Sequence, residues 1–125
     1  MSEIRVTTLK DTSGGNSSTT SQIASGRAKA FVNFNGAGAV AIRASFNVNS
    51  VTDNGGTGDY TVNFATALTD ANYMWSSGLT YSTTWGALLF VDNTYPPTTT
   101  SLRFYTTDAN YTVLDVTVIT LTIHR

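Results

Sequence analysis

Apolar and polar residues alternate along the chain between Gly26 and Phe64. In residues 29–35, Ala30, Val32 and Phe34 share one face of a predicted strand, while Phe31 interrupts the polar face. The alternation returns at Tyr60, Val62 and Phe64, and glycine-rich turns separate the segments. Between them lies a second predicted strand, whose apolar face comprises Val40, Ile42, Ala44, Phe46 and Val48. The pattern predicts a three-stranded meander with one face in the core.

The remainder of the chain is also typical of strands. Further strands are predicted at residues 73–77, 79–81, 85–91, 102–106 and 111–123. Residues 85–91 carry large side chains on both faces, which indicates a second sheet or a subunit contact. In the last run the apolar face changes sides after Val118, which indicates a bulge, a move between sheets, or burial of both faces. No segment shows sustained helical periodicity. The predicted fold is all-β, an antiparallel β-sandwich or jelly-roll-like knob of about seven or eight strands with an extended N-terminal arm.

The first 26 residues are expected to form that arm, and residues 27–125 the β-sandwich knob domain. Ile4 and Val6 alternate with polar residues, and Leu9 follows out of phase, so these three are the candidate assembly residues of the arm. Residues 11–26 are rich in Gly, Ser and Thr and cannot bury much apolar area. They can be a flexible linker, or a segment that a neighbouring subunit orders.

Composition excludes several classes of function. Only 12% of residues are charged and the net charge is −1, so no basic surface is expected for nucleic acid. No apolar run is long enough to span a bilayer, and the N-terminus lacks the apolar segment of a signal peptide, so we expect synthesis in a cytoplasm and no membrane insertion. The chain has no cysteine, so added stability must come from packing or oligomerisation.

Residues suited to catalysis are few. His124 is the only histidine and follows a predicted strand, which is typical of a solvated strand end. Most of the aspartates stand in turn sequences, where a short carboxylate caps its own backbone. The segment Asp53–Asp59 is rich in oxygen donors but lacks the bidentate glutamate of a calcium loop. We therefore expect no enzyme, no cofactor and no metal site.

Exposed aromatic rings beside hydroxyl and amide groups are typical of sugar-binding surfaces. The region from Tyr73 to Tyr95 is rich in both kinds of group. Packing in a core or a subunit interface is the alternative role for its rings. The candidate contacts for a glycan or a protein partner are Trp75, Tyr81, Trp85 and Tyr95.

An ordered set of motifs resembles a module of bacteriophage tail-fibre proteins, of the kind found in phages of marine and cyanobacterial hosts. The set is GRAKA, VNFNG, VAIRASFNV, TDNG and GDYTVNF between Gly26 and Phe64, followed by DANY at Asp70–Tyr73, and the opening IRVTTLKDTSGGNSS is also similar. The resemblance covers Met1 to about Trp75. This chain is short, because the long attachment and shaft regions of typical fibres do not appear in it.

The resemblance implies a virion structural protein made in the host cytoplasm, a homotrimer whose arm enters the tail and whose β domain is a distal knob. It implies other virion proteins as partners, with host attachment and receptor binding as the function. A capsid decoration protein is the alternative location for the same module. A non-catalytic carbohydrate-binding module is the alternative of another class.

Overall fold

The computed structural model describes residues 1–80 and 86–125. The arm begins with a small hairpin, in which β1 (Thr8–Lys10) pairs with β2 (Ser17–Thr19) in antiparallel register. A seven-residue helix, α1 (Thr20–Gly26), follows directly. The helix is held at its start by a capping box: the Gln22 backbone N–H donates to Thr19 Oγ1 (3.1 Å), and the Thr19 N–H donates to Gln22 Oε1 (2.8 Å). The sequence pattern did not predict this helix.

The knob is a sandwich of two four-stranded sheets. Its strands are, in chain order, β3 (Ala28–Asn35), β4 (Ala41–Phe46), β5 (Val48–Asp53), β6 (Asp59–Phe64), β7 (Met74–Thr80), β8 (Leu88–Phe90), β9 (Ser101–Thr107) and β10 (Val118–His124). The first sheet has the spatial order β4-β3-β10-β7, and the second has the order β5-β6-β9-β8. All neighbouring strands are antiparallel. The all-β sandwich predicted from the sequence is confirmed.

The core lies between the two sheets and is built by the central strands. Phe34 of β3 meets Tyr60 of β6 edge-to-face, with ring centroids 5.4 Å apart, and Phe104 of β9 packs beside both rings. The buried tyrosine keeps its hydroxyl satisfied, since it donates to the Gly36 carbonyl (2.8 Å) and lies 2.9 Å from Asp115 Oδ1. The predicted inward residues of the strands at 29–35 and 60–64 are all buried, namely Ala30, Val32, Phe34, Tyr60, Val62 and Phe64.

The predicted core face of the second strand holds only at its ends, where Val40 and Val48 pack against the core, and is wrong within β4. All six residues of β4 are exposed, and Ile42 and Phe46 keep 40% and 55% of their surface accessible. The pairing of β4 with β3 shifts register between Asn33 and Phe34, so that Phe46 stands opposite Phe31 on the outer face. Ile42 instead pairs with the buried Phe34, so the shift divides the predicted face: Ile42 is on the inner side of the sheet and Phe46 is on the outer side.

The predicted three-stranded meander is also wrong, because the chain changes sheets at Asn47. This residue has a positive φ of 53° and ends β4, and β5 begins in the other sheet at Val48. The Asn47 side chain stabilises this connection between the sheets: the Thr66 N–H donates to Asn47 Oδ1 (2.7 Å), and Asn47 Nδ2 donates to the Lys29 carbonyl (3.0 Å). The stretch therefore forms two hairpins, one in each sheet.

Three later strands differ from their predicted bounds. Strand β7 runs through Gly78 without the predicted interruption. Strand β8 is shorter than predicted and belongs to the second sheet, as one of the two alternatives required, while Leu88 and Phe90 are exposed in the single chain. The last run is a strand only from Val118, and its change of apolar face falls where an irregular segment gives way to β10.

Different segments of the chain meet at the two ends of the sandwich. Ala28 pairs with His124, so the start of β3 and the end of β10 lie together beside the arm. At the opposite end the connections 36–40, 54–58 and 108–117 meet: the Gly36 N–H donates to the Val116 carbonyl (2.9 Å), and the Gly58 N–H donates to Asp115 Oδ1 (2.8 Å).

Candidate ligand-binding site

A partly buried ion pair organises the outer face of the second sheet. Arg103 on β9 and Asp59 on β6 point outward, because the residues beside them, Phe104 and Tyr60, point into the core. Arg103 Nε donates to Asp59 Oδ1 (3.0 Å) and Nη2 donates to Oδ2 (2.7 Å), a bidentate geometry. Asn54, in the β5–β6 turn, donates a further bond to Asp59 Oδ1 (2.9 Å). The carboxylate is thus fixed by two elements and is only 7% exposed as a residue.

Two tyrosine rings lie close to this arginine. The guanidinium carbon lies 3.6 Å from the centroid of the Tyr95 ring, a close cation–π contact, and 5.9 Å from that of Tyr105. Phe90 stacks on Tyr105 with centroids 5.3 Å apart and an interplanar angle of 21°. We call Phe90, Tyr105, Arg103 and Tyr95 the aromatic–arginine row.

Local turn chemistry places Tyr95 in this row. Asp92 accepts the Thr94 N–H on Oδ1 (2.7 Å), and its carbonyl accepts the Tyr95 N–H (3.0 Å), so the chain reverses tightly after β8. Pro96 and Pro97 follow and restrict the backbone angle φ on the way to β9. The ring is therefore held over Arg103 by a turn with little conformational freedom.

A shallow groove of about 300 Å³ lies beside the row. One wall is a turn in which Thr98 Oγ1 accepts the Ser101 N–H (3.0 Å) and the Thr100 N–H (3.2 Å). Tyr73 fixes this turn from inside the sandwich, because its hydroxyl lies 3.1 Å from the carbonyls of both Thr98 and Ser101. The lining includes Thr61, Tyr95, Pro96, Thr98, Ser101 and Arg103.

The charges of the site compensate each other. Burial of the Asp59 carboxyl opposes its ionisation, but hydrogen bonds from Arg103 and Asn54 and the charge of Arg103 outweigh burial and lower its pKa. The hydrogen bond with Asp59 raises the pKa of Arg103 above its usual value. Both groups are charged across the ordinary pH range, and the pair carries no net charge.

The four residues predicted as glycan or partner contacts have different positions. Tyr95 is part of the aromatic–arginine row and stays 41% exposed. Trp75, on edge strand β7, packs edge-to-face on Tyr73 with centroids 6.4 Å apart, and so is linked to the groove through the ring that fixes the Thr98 turn. Tyr81 and Trp85 lie outside the described residues.

Sequence reasoning missed Phe90, Arg103, Tyr105 and Asp59 as members of a site. A signal was available in β9, where Arg103 and Tyr105 alternate with the apolar residues Leu102 and Phe104. Their partner Asp59 is 44 residues away along the chain, and only the pairing of β6 with β9 brings it near.

The expected turn role is confirmed for four aspartates, each of which accepts a backbone N–H two residues ahead. They are Asp53, Asp70, Asp92 and Asp108. His124 is half-buried as the last residue of β10, opposite Met74. Within residues 1–80 and 86–125, no group of three or more His, Asp or Glu side chains is arranged to hold a metal ion.

A second exposed feature lies on the outer face of the first sheet. Phe31 and Phe46 stack across β3 and β4 with centroids 6.0 Å apart, and both rings are exposed. Together with residues 27–29 they border a groove of about 380 Å³ next to the arm. Among the described residues, none of the helices is long and apolar enough to cross a membrane.

The fold and the site together define an eight-stranded antiparallel β-sandwich with an aromatic–arginine row on one outer face and an N-terminal arm. No protein-family model, curated protein or solved structure matches the chain.

Proposed function

We propose that the chain is a tail-fibre or fibre-tip protein of a bacteriophage virion, and that it works without catalysis. In this proposal three copies assemble through their arms, and the sandwich is the knob that meets the host surface or a neighbouring tail protein. The motifs between Gly26 and Phe64, which resemble those of tail-fibre modules, suggest this class of protein.

The observation that carries the proposal is the exposure of the arm. Every residue from Met1 to Arg27 is exposed except Thr8, which is half-buried. A helix of seven residues is far below the roughly 12–15 residues at which isolated helices become even marginally stable in water. A lone two-stranded hairpin is marginal for the same reason. The arm therefore needs a surface to pack on, and its apolar side chains Ile4, Val6, Leu9 and Ile23 are available for that contact.

The stacked pair of Phe31 and Phe46 supports assembly independently. These rings are exposed in the single chain, close to where the arm joins the sandwich. Exposed aromatic patches of this kind mark contact surfaces more often than isolated apolar side chains do. A chain without disulfides also gains stability from association, because binding that favours the folded state adds to it.

Light scattering coupled to size exclusion tests the oligomeric state. The expected mass is that of three copies of the 13.3 kDa chain, about 40 kDa. A variant carrying Ile4→Ser, Leu9→Ser and Ile23→Ser is expected to run as a monomer with an unchanged circular dichroism spectrum in the strand region. The matched control carries Tyr111→Ser and Val113→Ser, two exposed apolar residues in the connection at the opposite end, and is expected to stay trimeric. A wild-type chain of 13.3 kDa at every concentration contradicts the proposal.

Antibody labelling of intact phage particles tests the location. Labels at the end of the tail are expected. Labels spread over the capsid surface would assign the same arm and knob to a decoration protein, and particles without label would contradict a virion role altogether.

A further inference from the structure

We propose that the groove beside Tyr95 binds a neutral sugar, with Tyr95 as the stacking platform and Arg103 as the main hydrogen-bond donor. The inference deepens the proposed function, because it names the site and the ligand class through which the knob would contact a surface. It rests on the geometry and charge of the aromatic–arginine row.

The platform is built before any ligand arrives. Arg103 lies over the Tyr95 ring, yet 41% of this residue remains accessible. The Asp92 turn and the two prolines after Tyr95 restrict the segment that carries the ring. Pre-organisation of this kind lowers the entropy lost on binding. An apolar C–H face of a pyranose is the natural partner of a flat, fixed ring edged by hydroxyls.

The donors of the groove suit hydroxyl groups. Among residues 1–80 and 86–125, Arg103 Nη1 has no hydrogen-bond partner, whereas Nε and Nη2 are held by Asp59. The ion pair therefore fixes the guanidinium plane and leaves one nitrogen to donate outward. Hydroxyls of Thr61, Thr98 and Ser101 line the same groove and can both donate and accept.

The charge of the groove selects against charged ligands. Among the described residues that line the groove, Arg103 is the one with a charge, and its bidentate pairing with Asp59 neutralises it. A charged ligand would therefore find no net charge of opposite sign in the groove, so a neutral ligand fits best. The volume of about 300 Å³ is at the lower end of the range of small-ligand pockets, which indicates one or two sugar rings.

The test uses nuclear magnetic resonance on the full-length protein. Lactose, maltose and mannobiose are titrated to tens of millimolar, with sialyllactose as the charged comparison. The expected result is a saturable shift of the backbone amides of Thr61, Tyr95, Ser101 and Arg103 by at least one neutral disaccharide, with a weaker response to sialyllactose.

Variants separate the ring from the fold. Tyr95→Ala is expected to weaken binding about tenfold, the effect of losing an aromatic contact worth roughly 1.4 kcal/mol. Tyr95→Phe keeps the ring and is expected to bind within about threefold of the wild type. The control is Tyr111→Ala, which removes a 76% exposed tyrosine at the opposite end of the sandwich and should leave affinity unchanged.

Each outcome decides one proposal. Absence of shifts at these amides with every neutral disaccharide overturns the inference, and so does equal weakening by Tyr95→Ala and Tyr111→Ala. Preference for sialyllactose overturns the argument from charge. A trimer that binds no sugar refutes sugar binding in the groove and leaves the tail-fibre proposal intact. A monomer that binds sugar supports the groove as the binding site and contradicts the trimeric tail-fibre proposal.

Discussion

Gly58 is the point at which the β5–β6 turn touches the rest of the sandwich most closely, and its replacement by alanine is a severe test of the fold. Its φ is +67°. Its N–H donates to Asp115 Oδ1 (2.8 Å), and its carbonyl accepts the Thr106 N–H (2.8 Å). A Cβ atom at this position would stand 2.6 Å from the Thr106 carbonyl oxygen and 2.8 Å from that of Leu114. Both obstacles are backbone atoms, so relief requires movement of β9 or of the segment before β10.

The magnitude follows from two separable effects. The left-handed conformation costs a non-glycine residue about 1–2 kcal/mol. The forced shift of a packed backbone adds about 1–3 kcal/mol, the usual cost of overpacking. Gly38→Ala is the matched control, because Gly38 has nearly the same φ of +70° but nothing within 4 Å of the added Cβ. The difference between the two variants isolates the steric part.

Urea unfolding followed by tryptophan fluorescence measures the difference. We expect Gly58→Ala to lower the free energy of unfolding by about 2–5 kcal/mol and Gly38→Ala by about 1–2 kcal/mol. The first is a large share of the roughly 5–15 kcal/mol typical of a domain. If the two losses agree within about 0.5 kcal/mol, the close approach of Gly58 to Thr106 and Leu114 does not constrain the fold as described.

Three further perturbations test other contacts. The pKa of Asp59 is lowered in the folded protein, so as pH falls this carboxylate is protonated in the unfolded chain first. The stability that the Asp59 carboxylate contributes is therefore present above its ordinary pKa of 3.8 and is lost as pH drops through its folded pKa. Asp59→Asn should therefore make the free energy of unfolding less dependent on pH in the acid range. An unchanged pH dependence would contradict a role for the ion pair. Burial raises the pKa of Tyr73 to about 12, so the stability contributed by its neutral hydroxyl is present below pH 10.0 and is lost as pH rises towards 12. Tyr73→Phe should therefore reduce the loss of stability at alkaline pH, which urea unfolding midpoints measure. Phe46→Thr should leave a dilute monomer within about 0.5 kcal/mol of wild-type stability but weaken the proposed trimer, and equal dissociation constants of that trimer would exclude Phe46 from its interface.

The predicted inward faces are right in β3, β6 and β9, which have a neighbour on both sides. Val32, Val62 and Leu102 belong to central strands, whose alternating residues must be buried on the inner face. Ile42 and Phe46 show the same alternation in the sequence, but the register shift between β3 and β4 places them on opposite faces of the sheet. Periodicity could not predict that shift, because it depends on the pairing with β3.

The change of sheet at Asn47 could not be predicted because its causes are distant. A positive φ usually calls for glycine, and here an asparagine is held by bonds to Lys29 and Thr66, 18 and 19 residues away. The capping box of α1 was visible in the spacing of Thr19 and Gln22, but the Gly, Ser and Thr composition around it indicated a flexible linker or an extended segment.

Part of the candidate site could be anticipated and part could not. Tyr95 was predicted as a contact from its aromatic character, and its turn and prolines are local features of the sequence. The guanidinium beneath its ring depends on Asp59, which reaches Arg103 through strand pairing over 44 residues. Composition alone could not supply that pairing.

The pairing of Ala28 with His124 has a consequence for how the molecule can vary. The arm and the end of β10 leave the sandwich at one end, while the connections 36–40, 54–58 and 108–117 occupy the other, about 25 Å away along eight residues of β3. A peptide grafted between Gly38 and Ala39 would be displayed at the far end, away from the arm. Such an insertion would leave the junction between the arm and β3 as it is, so the two ends can be altered separately.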